Sequence, residues 1–200
     1  MIAAHYNHPS IYIWGILNEC ASDTEYGKSC YKAQFELIES LDKTRPRSFS
    51  SCRFKTDICF DLVDVVSYNI YPKWYHNTPV AEYLDDLYKW IQTTPGEGKP
   101  FLITEVGAGA IYGYRTLAKV KWSEEYQVQA LEEQLNAILS YNDCSGVYIW
   151  QFCDVRVTND WWSTRPRTMN NKGIVDEYRR PKLAYETVKK IFSSVDTYRE

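Results

Sequence analysis

Residues 11–19 read IYIWGILNE. The stretch 11–17 is apolar without interruption, and Asn18-Glu19 closes it. Its length and its Ile, Tyr and Trp content argue for a strand buried on both faces, the habit of parallel sheets. Outward from it, the chain alternates. A helix is expected over about 29–42, with Phe35, Leu37, Ile38 and Leu41 as its apolar set, and Thr44-Arg45-Pro46 breaks it. Residues 47–52 and 62–69 read as further strands. Thr78-Pro79 reads as an N-cap and first helical position. Leu84, Leu87, Tyr88 and Ile91 keep helical spacing behind it. The run 100–105 (PFLITE) is a short strand ending in a carboxylate. Ser123-Glu124-Glu125 opens a helix with acids in its first turn. Residues 146–150 (GVYIW) form another strand, and 181–192 a last helix. Strands alternating with helices mark an α/β fold with a parallel sheet.

Composition narrows the function. The chain has 200 residues, 23 Lys plus Arg against 26 Asp plus Glu, and a formal net charge of −3, so no basic surplus points to nucleic acid. No run approaches the roughly 20 apolar residues of a membrane helix. The start, MIAAHYNHPS, lacks the apolar core of a signal peptide, so a cytoplasmic location is expected. Cys20, Cys30, Cys52, Cys59, Cys144 and Cys153 include no CxxC pair, and three scattered histidines suit no metal. Neither a metal nor a cofactor is expected, and the cysteines read as free thiols. Aromatic residues are abundant, 7 Trp, 17 Tyr and 7 Phe, which suits either a core or a sugar cleft. The segment 152–173 is long, aromatic and basic, and long loops in compact domains are commonly functional or disordered.

Glu19 and Glu105 each follow an apolar strand. In a parallel sheet both would emerge on the C-terminal rim, where barrel active sites lie. Two facing carboxylates are what glycoside hydrolysis uses, although a single strand-end Glu is often a salt-bridge partner or a helix cap. The flanking stretches decide between these readings. NHPSIYIWGILNE (7–19) and PFLITEVGAGAIYGYR (100–115) resemble glycoside hydrolase family 2, in particular its β-glucuronidase branch. SYNIYPKWY (67–75), KWSEEYQ (121–127), YIWQFCD (148–154) and NNKGIVDEYRRPKLA (170–184) follow in the family's order.

The resemblance implies a partial (β/α)8 TIM barrel, about strands four to eight with their helices. It covers 1–200 as the C-terminal portion of a barrel domain, without the early strands or the β-sandwich domains that precede it in the family. It implies that Glu105 is the nucleophile and Glu19 the acid/base of a retaining β-glucuronidase, their carboxyls about 5–5.5 Å apart. Asn18 would bond the sugar 2-hydroxyl, and Asn69 would line the site beside it. Tyr71 would hydrogen-bond the nucleophile, Trp74 and Tyr75 would wall the cleft, and Trp150 would floor it. Asn170 and Lys172 match an Asn-x-Lys signature for the sugar carboxylate, where an amide and a cation offset a buried anion. Beside these roles stand plainer ones: a strand-end cap for Asn18, a packing aromatic for Tyr71, Trp74, Tyr75 and Trp150, and a solvated loop lysine for Lys172. The implied ligand is a small-molecule or oligosaccharide glucuronide. Two alternatives stand beside it: a non-catalytic sugar-binding or assembly fragment, and a family 2 β-galactosidase-like enzyme. A homo-oligomer or a partner chain is expected to complete the barrel, because five strands cannot close one.

Overall fold

The structure is a computed structural model that describes residues 1–195. Its helices and strands alternate as α1 (Ile2–His5), β1 (Trp14–Asn18), α2 (Glu25–Leu41), β2 (Arg47–Ser51), β3 (Val65–Asn69), α3 (Val80–Ile91), β4 (Phe101–Val106), α4 (Glu124–Leu139) and β5 (Cys144–Ile149). A two-residue pair, β6 (Val155–Arg156) and β7 (Met169–Asn170), precedes α5 (Leu183–Ser193). Strands β1 to β5 form one sheet in chain order, the arrangement of consecutive βα units. β1 pairs with β2, and β2 with β3, in parallel. The fold is α/β, part of a TIM barrel.

Local chemistry moved several boundaries away from the expected ones. The first strand starts at Trp14 rather than Ile11 and is not buried on both faces: only Trp14 is withdrawn, and Asn18 is exposed. The cause is position, since β1 is an outer strand with a sheet neighbour on one side only. The third strand starts at Val65, after a 3-10 turn at Phe60–Leu62. There the Lys99 ammonium takes the Phe60 and Val63 carbonyls at 2.5 and 2.7 Å, so neither enters the ladder. Helix α2 starts at Glu25 because the Thr24 hydroxyl accepts the Gly27 N–H at 3.0 Å. A Cβ on Gly27 would lie 2.1 Å from the Ala21 carbonyl oxygen, so this first turn tolerates no side chain.

The chain divides into two compact units. Unit 1 holds Met1–Ile70, Leu84–Thr104 and Asp143–Gly146; unit 2 holds Tyr71–Tyr83, Glu105–Asn142 and the chain from Val147 onward. In unit 1 a ladder of rings carries the core: Phe35 to Phe49 at 6.3 Å, Phe49 to Phe60 at 6.2 Å, Phe60 to Tyr68 at 5.9 Å, Tyr68 to Phe101 at 6.4 Å. Such spacings favour offset and edge-on aromatic contact. In unit 2, helices α4 and α5 pack together, with Leu131, Leu135, Ile138, Ala184 and Val188 buried. The segment after β5 is built rather than loose: β6 and β7 pair antiparallel, and two 3-10 turns, Asn159–Thr164 and Pro166–Thr168, lie between them. All six cysteines are free thiols. No helix among the described residues is long and apolar enough to cross a membrane.

Candidate active site

In unit 1 the polar groups gather at the C-terminal ends of the strands. Glu19 directly follows β1, and its N–H donates to the Ser50 carbonyl at 2.9 Å. Asn69, the last residue of β3, is buried and reaches sideways. Its Nδ2 donates to Asn18 Oδ1 and to Glu19 Oε1, each at 3.0 Å, and its Oδ1 accepts from the Thr104 hydroxyl at 2.8 Å. Both amide hydrogens of Asn69 therefore serve to aim neighbouring side chains. Expected to line the sugar, Asn69 here orients the Glu19 carboxylate and the Asn18 amide. Thr104 was not expected in this network; nothing in the one-residue pattern of PFLITE sets it apart.

Below the same loop, Asp57 is buried and accepts from the Ser51 hydroxyl at 2.6 Å, the Ser22 hydroxyl at 2.5 Å and the Cys59 N–H at 2.8 Å. Arg53 Nε donates to the Cys20 carbonyl at 2.9 Å. The backbone just past Glu19 is thus tied to β2 and to the loop beyond it. Glu19 itself has a φ of 52°, the left-handed region that a non-glycine residue rarely occupies.

Unit 2 carries an anion beside a cation. Glu105 sits near the end of β4. The Tyr71 hydroxyl donates to its Oε2 at 2.5 Å, a charge-assisted bond. The same Tyr71 ring lies under the Lys172 ammonium, with Nζ 4.9 Å from its centroid. Tyr75 and Trp74 add two more faces, at 5.0 and 5.6 Å, and the Tyr75 hydroxyl accepts from Nζ at 2.9 Å. Lys172 is only 4% exposed. Burial pushes its ammonium below the usual lysine value, opposed by Tyr75 and by the Glu105 carboxylate. Burial raises the Tyr75 phenol more than any one neighbour lowers it, but the bond and charge of Lys172 and those of Arg165, at 3.4 Å, together bring the net shift down.

The other expected residues divide. Trp150 follows β5 and is 39% exposed, and its backbone N–H donates to the Val106 carbonyl at 2.9 Å. Trp74 departs from the cleft-wall expectation: it is 3% exposed and packs edge-on against Trp122 at 4.8 Å. Close packing with Ala108 and Ala130 makes it a support behind Lys172 rather than an open face. Asn170 uses its Oδ1 to accept the Lys172 N–H at 3.2 Å, so its carbonyl oxygen shapes the loop. Trp161 and Trp162 remain about half exposed. No group of three or more His, Cys, Asp or Glu that could hold a metal gathers among the described residues.

Residues 1–197 match the model for glycosyl hydrolases family 2, TIM barrel domain. The chain belongs to glycoside hydrolase family 2. A family 2 β-galacturonidase from Eisenbergiella tayi is similar at 74% identity and a TM-score of 0.98, covering all of this chain and 36% of its own. A β-D-glucuronidase from Dictyoglomus thermophilum is 27% identical with a TM-score of 0.90, again over the whole chain. Among curated relatives, the β-glucuronidase of Rattus norvegicus is 33% identical over 190 residues, 89% of this chain and 28% of that protein. The chain therefore spans about a third of the length of the relatives it matches.

Proposed function

We propose that this chain supplies the catalytic carboxylates and the acid-recognising lysine of a retaining β-uronidase, with a terminal β-galacturonide as substrate. One observation carries the reading: a nearly buried lysine ammonium shares the Tyr71 ring with a carboxylate that the Tyr71 hydroxyl holds. A cation placed beside the nucleophile suits a sugar that carries its own carboxylate at C6, because a buried cation and anion are each stabilised by the other. A neutral hexose would bring no anion to pair with the ammonium.

In the proposed reaction the Glu105 carboxylate attacks the anomeric carbon as Glu19 gives a proton to the departing oxygen. The carbon–oxygen bond to the aglycone breaks, and a glycosyl ester on Glu105 forms. Glu19, now ionised, takes a proton from water, and that water displaces Glu105 with net retention. Asn69, itself fixed by the Thr104 hydroxyl, holds Glu19; Tyr71 holds Glu105. The strands needed for an eight-stranded barrel come from outside these 200 residues, supplied by the same protein or by a partner chain.

The choice of uronic acid rests on similarity. The 74% identical structure is described as a β-galacturonidase, whereas the β-glucuronidases named above are 27–33% identical. The second reading, a β-glucuronidase, is the one the sequence motifs alone suggest. The assembled protein should hydrolyse an aryl β-D-galacturonide faster than the glucuronide epimer. A 2-deoxy-2-fluoro uronide with a good leaving group should add its mass to the peptide holding Glu105. Glu19→Gln should lower turnover about 10²- to 10⁴-fold, the usual contribution of a general acid–base group. Turnover of a neutral aryl galactoside with neither uronide accepted would overturn the reading.

A further inference from the structure

We infer that the buried Asp154–Lys182 ion pair is a positioning device that sets the Lys172 ammonium for a substrate carboxylate; this rests on the uronidase reading above. Lys182 Nζ donates to the Asn171 carbonyl at 3.1 Å, to the Ala110 carbonyl at 2.6 Å and to Asp154 Oδ1 at 2.8 Å. An ammonium has three donors, and all three are used. Asp154 Oδ1 also accepts the Gly173 N–H at 2.9 Å. The pair therefore grips the residue before Lys172 and the residue after it.

The rest of the local backbone completes the clamp. The Lys172 carbonyl accepts the Gln151 N–H at 3.2 Å, and the Asn171 carbonyl also accepts the Ala110 N–H at 2.8 Å. At Gly173 a Cβ would lie 2.3 Å from the Asp154 nitrogen, so the close approach of Asp154 requires glycine. Lys182 is the N-cap residue of α5, so the anchor sits on a helix start rather than on a loose loop.

Stability alone does not account for the pair. Both side chains have no exposed surface, and ion pairs removed from water are often no better than apolar residues of the same volume. Asp154 Oδ2 is buried without a hydrogen-bond partner, which adds to the cost. What an apolar pair could not do is hold the Asn171 carbonyl and the Gly173 N–H at one fixed separation. That separation sets the direction in which the Lys172 side chain leaves the loop toward Tyr75.

The assembled protein would be assayed on an aryl β-galacturonide and on the matching aryl β-galactoside, as wild type, as Lys172→Ala, and as the paired variant Asp154→Asn/Lys182→Met. Removing both charges together strands neither, so the paired variant should melt within a few degrees of wild type. Its kcat/KM for the uronide should fall roughly tenfold to a hundredfold, mainly through KM, as when outer partners of a ligand are lost. Its neutral-sugar turnover should hold. In the Lys172→Ala background the paired change should add nothing further on the uronide, because both act through one ammonium. Equal losses on both sugars, losses that add to those of Lys172→Ala, or a paired variant that unfolds would each make the pair a purely structural element. If Lys172→Ala itself leaves the preference for the charged sugar intact, the uronidase reading fails instead.

Discussion

A lysine ammonium withdrawn from water has to find compensation, and at Lys172 three ring faces and one phenol oxygen provide it. The sequence showed Lys172 through its Asn-x-Lys setting, and Tyr71, Trp74 and Tyr75 through their cluster after β3. It did not show that the four side chains converge, because 97 residues separate Tyr75 from Lys172. Truncating Lys172→Ala should reduce transition-state binding of the uronide by about 2–5 kcal/mol, the cost of stranding one member of a desolvated charge pair. Burial lowers the ammonium from its ordinary 10.5, so its charge is lost earlier as pH rises. The KM for the uronide should accordingly climb on the alkaline side at a pH below 10.5, with no matching rise for the neutral galactoside; pH profiles of both sugars measure this. Asp42 offers a contrast at the same scale. The Thr44 hydroxyl at 2.6 Å and the Trp14 indole N–H at 2.8 Å, with Arg45 at 2.6 Å, hold its carboxyl well below the ordinary 3.8, against burial. A depressed carboxyl favours folding above its unfolded value, and that contribution is lost as pH falls through the folded one. Urea unfolding at pH 7 and pH 3 should therefore show a fall in stability that is smaller in Asp42→Asn.

Helix α4 was legible as an element, from Ser123 as cap and two acids behind it. The Ser123 hydroxyl does accept the Tyr126 N–H, at 3.2 Å. The purpose of Glu124 was not legible, since an acid in a first turn is ordinarily a partner for the helix dipole. Glu124 is fully buried and accepts the Gly113 N–H at 2.7 Å and the Leu183 N–H at 2.6 Å. It ties the start of α4 to the start of α5, the helix that carries the Lys182 anchor. Glu124→Ala should remove the acceptor of the Gly113 and Leu183 N–H groups and cost about 1–3 kcal/mol in all. A chemical denaturation curve would report the loss, and a change within the fitting error would remove Glu124 from this role. Strand β3 makes the same point: its valines marked a strand, but only Lys99, arriving from 36 residues further along, set where it begins.

For the molecule as a whole, a near-neutral charge of −3 gave no basic surplus to point to nucleic acid, and the alternation of strands and helices yielded the α/β class. The five-stranded sheet has β1 and β5 as its outer strands, and each has a sheet neighbour on one side only. Outer strands of this kind pair readily with other chains unless they are covered. The 200-residue chain expressed by itself should therefore associate. Light scattering should give a mass above that of one chain, and a sharp monomer peak would contradict the expectation that further strands complete the barrel.

What the sequence determined by itself was everything local or carried by short motifs. Hydrophobic period, Pro and Gly breaks and caps act over a few residues, and they marked nearly every helix and strand. Family stretches marked both carboxylates and the lysine. Tertiary structure decided what each polar group faces. It showed Asn69, held by Thr104, aiming Glu19, Tyr71 holding Glu105, Trp74 buried against Trp122, and Asp154 with Lys182 gripping the loop of Lys172. A hydrogen bond depends on distances of a few tenths of an ångström between residues tens of positions apart, and no pattern along one chain encodes such distances until the strands have taken their register.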